Sequence, residues 1–306
     1  MSAGLGPATG PWLRAMPAVF VLIWSTGFVV AKFGLPFAPP LTFLAIRYAL
    51  SIACFGVWVR LAGAVWPQEP RQWLHLGATG VLMHAGYLGG VWVAVKAGMG
   101  SGLVALIVGL QPVLTAVWVT RMQGAGHAVT RLQWLGLALG LSGLLLVVWR
   151  KLGVGSEVSS LTLAAAVFSL LSMTAGTLYQ KRFVKPCDVR TANAIQLMAA
   201  LAVTLPLTWL ETEAITWSAS FISAMAWSVL VLTLGGSSLL YLLIQRGAAT
   251  AVTSLLYLVP PTTALMAWLL FKEPVTAATW LGTAITAVGV ALVVRPAKAA
   301  ATKPVA

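Results

Sequence analysis

Apolar positions in this chain run on without the alternation of a strand, and polar residues break them at short intervals. Ten such runs occur, near residues 15–33, 40–60, 73–95, 99–120, 131–149, 160–180, 191–210, 222–244, 250–271 and 278–295. A bilayer core of about 30 Å needs roughly 20 apolar residues in helix. The runs meet that length, and barrel strands would alternate in polarity. The pattern predicts an all-α integral membrane protein with ten transmembrane helices. Connections are short, and the longest, near Ala62–Arg71, Gln123–Thr130 and Glu211–Trp217, are too small to be domains. Arg14 before the run Ala15–Ala31 imitates a secretory leader. That run has a partner later in the chain, so it is read as the first spanning helix.

The partner belongs to a duplication. Leu103-Val104-Ala105-Leu106 leads to Gln111-Pro112 and then to Trp134-Leu135-Gly136; Val252-Thr253-Ser254-Leu255 leads to Pro260-Pro261 and then to Trp280-Leu281-Gly282. At an offset of 149, Gly27 falls on Gly176, Lys32 on Lys181, Ala45-Ile46 on Ala194-Ile195, Gly86 on Gly235, Gly98 on Gly247 and Pro112 on Pro261. After a three-residue length difference the offset is 146, and 8 of 15 positions from Trp134 to Val148 match Trp280 to Val294. Two repeats follow, a first of five helices over 15–150 and a second of five over 160–296. Residues 297–306, rich in Ala, Lys and Pro, are expected to form a disordered cytoplasmic tail.

Composition agrees with a membrane location. Of the 306 residues 59% are hydrophobic and 8% charged, against about 25% charged in a soluble domain. The net charge of +13 is carried by single basic residues between apolar runs, a topogenic arrangement that implies no nucleic acid. With a cytoplasmic N-terminus, 13 Lys and Arg fall inside and 5 outside, with Arg47 left in the membrane. Both termini are therefore expected in the cytoplasm of a plasma membrane, a bacterial inner membrane by expectation. Five helices per half is an odd number, so the second half starts from the opposite side. The repeats are inverted, as in many secondary transporters, whose substrate sites lie near the midplane between repeats.

Several stretches resemble a known family. Leu22-Ile23-Trp24-Ser25-Thr26-Gly27-Phe28-Val29-Val30-Ala31-Lys32-Phe33-Gly34 resembles the first-helix signature of the drug/metabolite transporter superfamily, EamA type. Pro39-Pro40-Leu41 followed by Ala45-Ile46-Arg47-Tyr48 is similar to the start of its second helix. The Pro-centred fourth and ninth runs and the Trp-Leu-Gly of the fifth and tenth are similar to its two repeats. The resemblance spans essentially the whole chain and implies a ten-helix exporter of amino acids or other small metabolites. Two departures stand out. Gly27 replaces an Asn frequent in the family. Lys272-Glu273-Pro274 keeps the acid that follows the Pro-centred helix, whereas Arg121-Met122-Gln123-Gly124 lacks it, so the two gates are expected to differ.

An ionisable residue at membrane depth costs several kcal/mol and marks a functional candidate. Arg47 lies about 10 Å deep at 1.5 Å per residue. It either ties helix carbonyls together or meets a substrate carboxylate; its repeat partner is Gln196. His84 lies near the centre of the third run with Tyr87 on the same face. It is either a satisfied core histidine or a proton carrier, since an unperturbed His titrates near pH 6.5. Trp24, Tyr241 and Tyr257 are candidates for an aromatic lining, as are Trp92 and Tyr179, while Trp12, Trp66, Trp73, Trp149, Trp217 and Trp280 suit the interfacial belt.

Small residues in the third and eighth runs, among them Gly86, Gly89, Gly90, Gly235 and Gly236, allow close approach or flexing, and the mirrored clusters favour paired gating helices. Pro112 and Pro261 interrupt the fourth and ninth runs and free the carbonyls of Val108 and Tyr257, with Gln111 placed to offer its amide there. Gly136 and Gly140 form a GxxxG on a run with almost no strongly polar side chain. That run is expected at the periphery, packed on the tenth run or on a second protomer.

All six acids fall near run ends or in loops, which disfavours a cationic drug as substrate. No Walker motif, HExxH or Ser/His/Asp cluster is present, and the two cysteines form neither a disulfide framework nor a metal motif. No cofactor and no metal are implied, and no enzymatic activity. The implied partners are the lipid bilayer and a small-molecule substrate, with protons as a candidate coupling ion and a homodimer as a candidate assembly. The expected function is secondary export of small metabolites, amino acids first among them, by alternating access. The alternatives are a passive facilitator or channel and, further off, an embedded enzyme acting on a lipid carrier.

Overall fold

The computed structural model describes residues 11–122, 131–152, 158–239, 258–273 and 276–294. Ten helical spans follow one another among them, with no strand. They are α1 (Pro11–Gly34), α2 (Pro40–Leu61), α3 (Pro70–Lys96), α4 (Ser101–Val108 and Gln111–Met122), α5 (Arg131–Leu152), α6 (Ser160–Phe183), α7 (Val189–Leu207), α8 (Ala219–Leu239), α9 (Val259–Phe271) and α10 (Ala277–Val294). Five of them, α2, α3, α6, α7 with its 3-10 continuation to Leu210, and α8, are long and apolar enough to cross a membrane. The expected tail over 297–306 lies outside the described residues, as does the stretch joining α8 to α9.

Local chemistry explains where the helices begin. Pro40, Pro70 and the Pro260-Pro261 pair occupy first turns, where a missing N–H leaves no ladder bond unmade. Ser159 and Thr162 form a reciprocal capping box at α6. Asp188 caps α7 through the Arg190 N–H at 2.9 Å, and Ser218 caps α8 through the Phe221 N–H at 3.1 Å. Side chains of Arg190 also hold the Asp188 carboxyl below the usual carboxylate range, so this cap stays charged.

Two sets of connections gather at two ends. At the α1–α2 end the Lys32 ammonium donates to Glu273 Oε1 at 2.7 Å, and that oxygen also accepts from Ser101 N at 3.2 Å and Ser101 Oγ at 3.1 Å. Glu211 of the α7–α8 connection caps α2 by accepting from Leu41 N and Thr42 N, both at 2.8 Å, and from Thr42 Oγ1 at 2.7 Å. Lys96 pairs with Glu213 there. At the α2–α3 end Lys185 Nζ donates to both Glu69 oxygens, and Gln72 Nε2 donates to the Lys185 carbonyl at 2.7 Å. Successive helices therefore run antiparallel, and α6 starts at the end opposite to the start of α1.

The packing repeats the duplication. α1 lies on α8 as α6 lies on α3; α1 meets α9 as α6 meets α4; α2 meets α8 as α7 meets α3. The pairs α2 with α7, α4 with α9 and α5 with α10 complete the set. Each relation maps onto its mate when the halves are exchanged, so the two five-helix repeats are related by inversion across the membrane. Individual contacts obey the offset. A Cβ on Gly27 would face Leu232 at 3.7 Å, and one on Gly176 would face Met83 at 2.5 Å. Those are mates at both ends of the contact.

The peripheral pair α5 and α10 uses its small residues within the chain. A Cβ on Gly143 would lie 2.7 Å from Thr286 N, and one on Gly289 would lie 2.9 Å from the Gly140 Cα. Thr286 Oγ1 donates to Gly282 O at 2.8 Å. Of the two expectations for the Gly136–Gly140 face, the structure shows the tenth helix as its neighbour.

Glu273 is 8% exposed and serves α1, α4 and α9 at once. Removing a charged partner from such bonds costs about 1.5–3 kcal/mol. Glu273→Gln is expected to lower the thermal unfolding midpoint of purified protein by several degrees; an unchanged midpoint would show the cluster to be a surface pairing without structural weight.

Candidate functional site

Arg47 and His84 are brought to one cavity between the halves. It encloses about 660 Å³ of space between atoms, counting the solvent at its open mouth. Trp24, Gly27 and Phe28 of α1 border it, with Arg47 of α2 and with Met83, His84, Tyr87 and Trp92 of α3. The second half contributes Met173 of α6 and Leu232, Thr233 and Ser237 of α8. The wall is thus mostly aromatic and aliphatic, with few polar groups.

Both α3 and α8 leave the α-helical pattern at this depth. Val81–Gly86 and Trp227–Gly236 are π-helical, and 81–86 plus 149 is 230–235, so the two segments are repeat mates. A π segment loosens the backbone ladder, and such segments occur frequently at functional sites. Carbonyls in both segments accept side-chain hydroxyls. Tyr48 Oη donates to His84 O at 2.8 Å, and Thr233 Oγ1 donates to Ser228 O at 2.8 Å.

The polar groups form two pairs between the halves. Arg47 Nε donates to Thr233 Oγ1 at 3.1 Å, and the Gln196 side chain lies close to the His84 side chain. Adding 149 to 47 gives 196, and adding it to 84 gives 233. The two pairs are therefore images of each other under the repeat. Ion pairs among the described residues join Lys32 to Glu273, Lys96 to Glu213, Lys185 to Glu69 and Arg190 to Asp188, all at the helix ends. None includes Arg47, and the sixth acid, Glu157, lies outside the described residues. The guanidinium, 7% exposed, stands in the cavity wall with one hydrogen bond to protein and no carboxylate among the described residues.

The other candidates divide. Trp24 and Tyr87 border the cavity, as does Trp92. Gln196 is buried behind His84. Gln111 does not reach the cavity wall: its amide donates to Thr115 Oγ1 at 3.2 Å on its own helix. Tyr179 also lies elsewhere, bonded to His75 Nδ1 at 2.9 Å. Tyr241 and Tyr257 lie outside the described residues.

Gly90 marks close helix approach, since a Cβ there would be 2.7 Å from Ala165 O of α6. Gly89 and Gly235 are looser, with nearest atoms at 3.8 Å and 3.5 Å, and Gly236 faces Ile23 at 3.3 Å. The fourth run is interrupted next to Pro112. α4 stops at Val108 and restarts at Gln111, so Pro112 sits in a first turn; Pro261 likewise sits in the first turn of the described α9. The break in α4 touches the start of the described α9, for a Cβ on Gly109 would lie 2.7 Å from Pro260 Cγ. Sequence reasoning missed Thr233. The signal was the register itself, because Thr233 is the mate of His84.

Comparison with known proteins agrees with this geometry. A solved crystal structure superposes with a TM-score of 0.65 at 18% identity, over 90% of this chain and 94% of that one, and shows the same fold. Uncharacterised transporter YvbV of Bacillus subtilis (strain 168) is 25% identical over 291 residues, 92% of this chain and 91% of that protein. Uncharacterised inner membrane transporter YedA of Escherichia coli (strain K12) is 27% identical over 289 residues, 92% of this chain and 90% of that protein. A probable amino-acid metabolite efflux pump of Escherichia coli (strain K12) is 23% identical over 283 residues, 88% of this chain and 90% of that protein. The model of the EamA-like transporter family matches twice, over residues 15–149 and 160–295. With two inverted five-helix repeats around a cavity and both repeats matched, this chain belongs to the EamA-like transporter family: it is a multi-pass membrane transporter of small molecules, not an enzyme.

Proposed function

We propose that this protein exports small carboxylate-bearing metabolites, amino acids first among them, by alternating access about the cavity between its halves. One observation carries the reading. Arg47 is a buried cation in the wall of the cavity between the halves, with no carboxylate partner among the described residues. A buried charge is stable only when paired or solvated, and a guanidinium suits a carboxylate in bidentate geometry. A bound carboxylate supplies the missing charge. Trp24, Tyr87 and Trp92 offer apolar surface to the rest of the molecule. The amino-acid metabolite efflux named for the Escherichia coli relative agrees with a carboxylate substrate. The related inner membrane transporter YedA supports a bacterial inner membrane as the location, and the basic-residue count supports cytoplasmic termini. In this reading Gly89, Gly90, Gly235, Gly236, Pro112 and Pro261 belong to the moving helices.

The test is flux of the common amino acids and their carboxamides from proteoliposomes, with and without a pH gradient. Acids should move and carboxamides should not; equal movement of both would sink the reading. His84 is assigned the proton-coupling role. His84→Gln keeps a hydrogen-bonding group for Gln196 but cannot titrate. It is expected to retain substrate binding and to lose any dependence of flux on the pH gradient. Full dependence in the variant would make His84 a packing residue.

A further inference from the structure

Thr233 makes two hydrogen bonds, and one of them meets the Arg47 guanidinium. Its hydroxyl donates to Ser228 O, five residues back along the π segment, at 2.8 Å. A hydroxyl has one proton and two lone pairs. With the proton committed to Ser228, the oxygen faces Arg47 as an acceptor only, and it receives Nε at 3.1 Å. Nε carries a single N–H, so this bond takes up neither terminal nitrogen of the rigid fork, and neither has a hydrogen-bond partner among the described residues. Thr233 is 2% exposed, which keeps water from competing for the bond.

We infer that Thr233 is a positioning residue for substrate recognition: it holds the Arg47 fork so that its two terminal nitrogens meet a substrate carboxylate. The inference rests on the proposed carboxylate site and adds the residue that orients it. The repeat supports it independently of the substrate, because Arg47 and Gln196 are mates and so are His84 and Thr233, each of the latter pair in a π segment. In both halves a residue of the π segment stands beside a polar side chain from the second helix of the other repeat. The π geometry places the hydroxyl because its pairing to residue i−5 turns Thr233 away from the ordinary helical partner.

The experiment compares L-phenylalanine with L-phenylalaninamide, which keeps the aromatic body and lacks the carboxylate. Flux is measured in proteoliposomes for wild type, Thr233→Val, Thr233→Ser, Arg47→Gln and the Arg47→Gln/Thr233→Val double variant, each normalised to monodisperse protein. Wild type should prefer the acid. Thr233→Val should raise the half-saturating concentration of phenylalanine roughly tenfold, as expected for one bond to a charged group, with maximal flux unchanged. Thr233→Ser should restore the wild-type value. In the Arg47→Gln background Thr233→Val should add nothing. Three results overturn the inference alone while Arg47→Gln still impairs transport: unchanged half-saturation in Thr233→Val, a loss confined to maximal flux, or an additive loss in the double variant. If Arg47→Gln has no effect, or wild type treats acid and amide alike, the carboxylate reading fails and the inference fails with it.

Discussion

Replacing Arg47 by Leu is expected to reduce flux of a carboxylate substrate by about a hundredfold or more. Two charge-assisted hydrogen bonds are lost, each worth about 1.5–3 kcal/mol, and a tenfold change is about 1.4 kcal/mol. The substitution removes a buried charge instead of stranding one, and Thr233 keeps its bond to Ser228 O. Abundance should therefore fall less than flux. Arg47→Lys should give an intermediate loss, because an ammonium keeps the charge and loses the planar fork. The measurement is proteoliposome flux per folded molecule. Wild-type abundance with wild-type flux in the Leu variant would remove Arg47 from the site.

Gly80→Val is expected to prevent recovery of folded protein. Gly80 lies in α3 one residue before the π segment, pressed on the backbone of α7. A Cβ there would fall 2.6 Å from the carbonyl carbon of Gln196, and backbone cannot swing aside as a side chain does. Overpacking in tight cores costs about 1–3 kcal/mol, and a backbone clash belongs above that range. Gly56→Val is the control, because nothing lies within 4 Å of a Cβ there. Size-exclusion profiles should separate the two: the Gly56 variant monodisperse, the Gly80 variant absent or aggregated. A monodisperse Gly80 variant would mean that α3 and α7 are further apart than described.

The fold was legible because hydrophobic length and a single register carry most of its information. Ten apolar runs placed the helices, and an odd number per half dictated the inversion. Of the candidate site, the cavity-lining positions that the sequence marks most plainly are those where charge is expensive. Arg47 and His84 stood out because a bilayer penalises them, and both border the cavity. Gln111 misled because a polar amide beside a proline break can be satisfied along its own helix, as its bond to Thr115 shows. Tyr179 misled because an aromatic inside a run carries no mark of the face it presents. The π segments had no residue signature beyond nearby glycines, since the pairing of residue i with i−5 depends on packing. Thr233 was hidden as a hydroxyl in an apolar run, although the offset that maps Arg47 onto Gln196 also maps His84 onto Thr233.

One measurement bears most directly on alternating access about a cavity shared by inverted halves. Cys54 and Cys187 are first replaced by Ser, and Ser237, which borders the cavity from α8, is replaced by Cys. A membrane-impermeant thiol reagent is then applied to one face or the other of oriented vesicles. The account predicts labelling of position 237 from either face, slowed from both by saturating substrate. Labelling from one face alone, unchanged by substrate, would contradict it.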